Sequence, residues 1–97
     1  MATKRVLPAD VYDTLELSAL AYGGIGGGAY RDKCGEPLCV LGHASATRLV
    51  GTPSEVWEAL EDVGITEKEN DRAVGKSGKR IPYPEWCRRL NIVRGAA

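Results

Sequence analysis

Five of the six residues from Gly23 to Gly28 are glycine, interrupted only by Ile25. Lacking a Cβ, glycine reaches conformations that other residues avoid and weakens both helices and strands, so no regular element runs through this segment. The run reads as a mobile loop over 23–28, or as a place where one stretch of backbone comes close to another. A phosphate-cradling role fails on spacing. In G-x-G-x-x-G the last glycine would fall on Ala29, and no strand precedes the run.

Other glycines and prolines divide the remainder into short helices. Pro8 suits a first helical turn and Asp10 and Asp13 the positive end of a helix, so a helix is expected from about Pro8 to Tyr22, ended by Gly23. Its apolar face is Val11, Leu15, Leu17, Leu20 and Ala21. After an extended stretch and turn over 29–37, a second helix is expected from near Pro37 to Val50, with Gly51 as its stop. Thr52-Pro53-Ser54-Glu55 has the form of a capping box and opens a third helix carrying Val56, Trp57, Leu60 and Val63 inward as far as Gly64. Thr66-Glu67-Lys68-Glu69 repeats that form and opens a fourth, ending near Gly75. A basic loop fills 75–80. Ile81-Pro82-Tyr83 is extended, as residues before proline prefer, and a last helix runs from Pro84 to Leu90, capped by Asn91. The expected fold is mainly α: a compact bundle of four to five short helices in a single domain over 1–97, with a small β element near residues 29–34 and 92–93.

Ninety-seven residues supply one modest core, and Trp57 and Trp86, each in a helical segment, read as its anchors. No stretch approaches the roughly 20 apolar residues that span a bilayer, and the basic start Lys4-Arg5 has no apolar run behind it. Three cysteines cannot all pair within one molecule, which favours a reducing compartment; the expected location is the cytoplasm, where thiols stay reduced.

The zero net charge hides a division. Residues 1–71 hold six Lys/Arg and twelve Asp/Glu, whereas residues 72–97 hold seven Lys/Arg and Glu85 alone. Either the basic segment folds back onto acidic helices of its own molecule, or it forms an exposed basic face that meets a partner. In the second case the binding residues are Arg72, Lys76, Lys79, Arg80, Arg88 and Arg89. Seven positive residues with Tyr83 and Trp86 would also allow weak nucleic-acid binding, but the acidic remainder and a pI near 6.6 favour a protein.

Reactive side chains concentrate at Cys34, Cys39 and His43. Cys39 and His43 are four apart on the second helix and share a face. In the preferred reading Cys39 is a small buried hydrophobe and His43 a hydrogen-bonded residue on the helix surface. A metal reading completes a Cys₃His set with Cys87, although C-x₄-C-x₃-H with a distant fourth ligand is not a finger or knuckle pattern. A catalytic reading makes Cys39 a nucleophile at a helix N-terminus, His43 its base and Asp71 (or Asn70) the residue that orients the imidazole. No cofactor is expected: Gly75-Lys76-Ser77 resembles the end of a Walker loop, but Asn70 stands where that motif needs glycine.

Tyr30-Arg31-Asp32, Gly35 to Ala44, Glu69 to Val74 and Arg80 to Cys87 together resemble small uncharacterised proteins encoded by bacteriophages and prophages. The glycine run lies outside the match. The resemblance implies an accessory protein without enzymatic activity that binds a host protein, including the blocking of a defence protein. The alternatives kept beside it are a small cysteine-dependent enzyme or zinc-bearing domain, and a weak nucleic-acid binder.

Overall fold

The computed structural model describes residues 3–46 and 53–96. Arg5–Leu7 forms a three-residue strand, β1, which leads through Pro8 into helix α1, Ala9–Ala21. Helices α2 (Val40–Ala46), α3 (Pro53–Asp62), α4 (Glu67–Val74) and α5 (Tyr83–Leu90) follow, and strand β2, Ile92–Arg94, comes last. The fold is mainly α, with five helices among the described residues, as the pattern of glycines, prolines and caps predicts.

The small sheet is made differently from the expectation. β1 and β2 pair in parallel, Arg5 opposite Ile92 and Leu7 opposite Arg94. Residues 29–34 form no strand. Asp32 turns the chain there, its Oδ1 accepting the amides of Cys34 (2.8 Å) and Glu36 (3.0 Å), and only an isolated bridge joins Arg31 to Pro37. The partner of 92–94 is the segment before Pro8, where proline holds the preceding residues extended.

Helix α2 also starts later than Pro37, because the backbone ahead of it is already engaged. The Leu38 amide donates to Tyr30 O (2.9 Å), the Cys39 amide to Ala29 O, and Leu38 O accepts the Gly26 amide (2.8 Å). At the fourth helix the sequence signal holds: Thr66 Oγ1 accepts the Glu69 amide at 3.3 Å. The Glu69 carboxylate, however, reaches Arg72 and Arg5 rather than completing a reciprocal box. The cap expected at Thr52, and the end of the second helix at Val50 and Gly51, lie outside the described residues.

One buried cluster unites the elements: Leu7, Val11, Leu15 and Ala19 from β1 and α1, Val40, Leu41 and Ala44 from α2, Val56 and Leu60 from α3, and Trp86, Leu90 and Ile92 from α5 and β2. Trp86 is fully buried, while Trp57 is half-buried at the edge of the cluster with its ring against Tyr30 (6.0 Å between centroids).

The glycine run takes the second of its two readings. Gly24 to Gly27 are buried and cross the molecule as a packed strap. Ile25 exchanges backbone hydrogen bonds with Ile81, both at 2.9 Å. A Cβ on Gly27 would come within 2.1 Å of Gly75 O, and one on Gly24 within 2.3 Å of Ile81 O. Glycine is required here because backbone packs directly on backbone.

Candidate functional site

Three polar groups, the buried Asn70 and His43 and the partly buried Arg80, converge on this strap. Asn70, on α4, is fully buried; its Nδ2 donates to Gly26 O (2.8 Å), and its Oδ1 accepts both the Val40 amide (3.2 Å) and the Trp86 indole N–H (3.0 Å). One carboxamide therefore joins the strap to α2, α4 and α5. Arg80 donates from Nη1 to Gly24 O (3.1 Å) and Pro37 O (2.6 Å), and from Nη2 to Asp32 Oδ2 (2.9 Å). His43 is the third.

His43 is fully buried, not on the helix surface. Its Nε2 lies 3.1 Å from Gly24 O, which can only accept, so Nε2 carries the proton. Nδ1 then accepts the Ser18 hydroxyl proton at 2.7 Å. Burial is the main reason that the imidazole pKa falls to about 4; the positive charge of Arg80 acts in the same direction, and the bond to Gly24 opposes it. The ring is neutral near pH 7, with both nitrogens engaged within the molecule.

The sequence placed Cys39 correctly as a buried residue. It stands at the start of α2, where the amides of Gly42 and Leu41 point to its sulfur, yet burial outweighs them and raises the thiol pKa. The catalytic trio is not assembled. The His43 nitrogens are taken by Ser18 and Gly24, and Asp71 Oδ1 accepts the Gly28 amide at 2.9 Å. Nor does the Cys₃His set converge: Cys34 is exposed in the turn after Asp32, Cys39 lies in the core, and Cys87 is buried beside Tyr12 and Tyr83 with its pKa raised to about 11, chiefly by burial. Among the described residues no three His, Cys, Asp or Glu side chains are grouped to hold a metal ion.

The six basic residues expected to bind divide into three kinds. Arg80 is an internal clamp. Arg72 pairs with Glu69 (2.8 Å), Arg88 pairs with Glu85 on its own helix, and Arg89 reaches Glu85 (3.2 Å) and Ala73 O (2.8 Å). Lys76 and Lys79 are exposed and make no ion pair among the described residues. The basic segment thus folds onto carboxylates of its own molecule, at Asp32, Glu69 and Glu85, with Arg94 adding Asp13 (2.9 Å).

Sequence periodicity missed one surface. Leu17 and Leu20 belong to the apolar face that helical spacing gives α1, yet they are 53% and 79% exposed. They border a groove of about 440 Å³ whose other walls include Pro82, Tyr83, Pro84 and Gly23, with Glu16 at its edge. The helix is apolar over more of its circumference than one neighbour can cover; Ser18, which binds His43, marks part of the inward side.

No protein-family model, curated protein or solved structure matches the chain.

Proposed function

We propose that the protein is a non-enzymatic binding module that docks another protein on the exposed apolar side of α1. The observation that carries this reading is the pair Leu17 and Leu20, exposed beside the groove walled by Pro82, Tyr83 and Pro84. Exposed large apolar side chains gathered at a concave surface are a mark of interaction sites, whereas single scattered ones are ordinary. The polar groups best suited to chemistry, His43 and Asn70, are instead consumed in holding the strap. The likeness to small phage-encoded accessory proteins supplies the partner class, a protein of the host cell, with blocking of a defence protein as the mode of action.

The test compares the native chain with Leu17→Asp/Leu20→Asp as bait in host extract, followed by reconstitution of any retained protein from purified components. The expected result is a stoichiometric complex lost by at least tenfold in the double variant, with an unchanged thermal midpoint. A complex that survives both substitutions would show that the partner docks elsewhere.

A further inference from the structure

A second cleft, on the sheet side of the molecule, collects cations from segments far apart in sequence. Its walls include Lys4, Arg5, Arg72 and Arg89, it encloses about 570 Å³, and Asp62 is the carboxylate that lines it. The neighbouring carboxylates do not neutralise this group. Glu69 is shared by two guanidiniums, Arg5 at 3.2 Å and Arg72 at 2.8 Å, and Glu85 is shared by Arg88 and Arg89. Each trio keeps one positive charge in excess, and Lys4 makes no ion pair among the described residues.

A separate anomaly lies in the same place. Arg5 Nη1 is buried with no hydrogen-bond acceptor among the described residues. Buried donors are nearly always satisfied, and an unmet one is destabilising. The Arg5 side chain as a whole is a quarter exposed and lines the cleft. Guanidinium forks suit oxyanions that accept two or more hydrogen bonds, and several converging cations favour a doubly charged one.

We propose that this cleft binds the phosphate group of a small phosphorylated ligand, with Arg5 supplying its unmet N–H and Arg72, Arg89 and Lys4 the balancing charge. The site is separate from the apolar face of α1 and does not depend on the docking role given to that face. Glu69 acts as an internal stand-in for the ligand, holding Arg5 and Arg72 until an anion replaces it.

Isothermal titration with inorganic phosphate and with glycerol phosphate, at constant ionic strength and pH 7.5, tests this on five chains. Native protein should bind at least one of the probes with one site. Arg5→Gln should weaken binding at least tenfold, and Arg89→Gln should weaken it too, so the result does not depend on one variant folding; circular dichroism checks each fold. Glu69→Gln, which releases both arginines, should tighten binding severalfold, the opposite of what structural damage would do. Lys33→Ala, at a pocket that shares no residue with this cleft, should change nothing. Tighter binding of glycerol phosphate than of phosphate identifies an ester as the ligand, and equal binding identifies free phosphate. No binding to native protein at millimolar probe, equal weakening by Lys33→Ala, or no gain with Glu69→Gln would overturn the proposal.

Discussion

A single carboxamide and a single imidazole carry much of what fixes the centre of this molecule. Replacing Asn70 by Ala removes three hydrogen bonds and leaves the Val40 amide, the Trp86 indole N–H and Gly26 O without their partner. At about 1–3 kcal/mol for each unmet buried group, the loss should be at least 3 kcal/mol in chemical denaturation. Asn70→Asp keeps both acceptor bonds and should fold less poorly near the acid end, where its carboxyl is protonated. His43 makes a separate prediction about pH. Its pKa is about 4 in the folded chain against 6.5 when exposed, so between these values the unfolded state binds the extra proton. Stability is therefore full above pH 6.5, declines as pH falls toward 4, and has lost on the order of 3 kcal/mol from this group by then. In His43→Asn that slope should vanish, leaving the steeper loss below pH 4 as Asp13, Asp32, Glu69 and Glu85, all held below the usual carboxylate range by arginines or backbone amides, become protonated. An equal slope in both proteins between pH 6.5 and 4 would assign it to other groups.

Among the elements, helix positions were far more legible than what each helix faces. Proline and glycine punctuation, with the Thr66 cap, located α1, α4 and α5 because those signals act within a few residues. Thr66→Ala should cost about 1 kcal/mol through the lost cap, read as a lower urea midpoint. The sheet was half legible: β2 follows the left-handed Asn91, but its pairing with Arg5–Leu7 depends on a contact between distant segments, which local pattern does not encode. The strap was legible as an irregular segment, with the choice between mobile loop and packed backbone left open, since glycines in a surface loop and glycines under a backbone carbonyl have the same composition. Gly42 shows the difference most sharply. Helix propensity alone says that Gly42→Ala within α2 should stabilise by about 1 kcal/mol. A Cβ there would stand 1.9 Å from Tyr30 O, so the substitution should destabilise instead and loosen the turn before α2. A raised thermal midpoint in Gly42→Ala would contradict this packing. Of the candidate site, Cys39 was read correctly as buried, whereas His43 was misplaced on the surface because a four-residue spacing identifies a shared face but not what covers it.

For the molecule as a whole, the division of charge along the chain does not become a division of charge in space. Arginines from the basic segment reach carboxylates on α1, on α4 and in the Asp32 turn, so the two halves are interleaved. The cost of removing one should follow its geometry. Arg88→Ala affects only an exposed pair within α5, while Arg89→Ala also breaks the bond to Ala73 O that ties α5 to α4. The Arg89 variant should therefore melt at the lower temperature, and the reverse order would mean that the bond to Ala73 is not formed in solution. The parallel strand pair bears on the molecule's birth as well as its stability. Arg5 leaves the ribosome long before Ile92, its partner. Until then Leu7 has no neighbouring strand, and the side chains of Trp86 and Leu90 have only just been added to close the core over it. Because contacts between such distant residues form only after a long loop closes, the native state cannot be reached before β2 has been made. A nascent chain stalled before Ile92 should remain open to protease and to chaperones that bind exposed apolar segments, and emergence of β2 should be the event that lets the fold close.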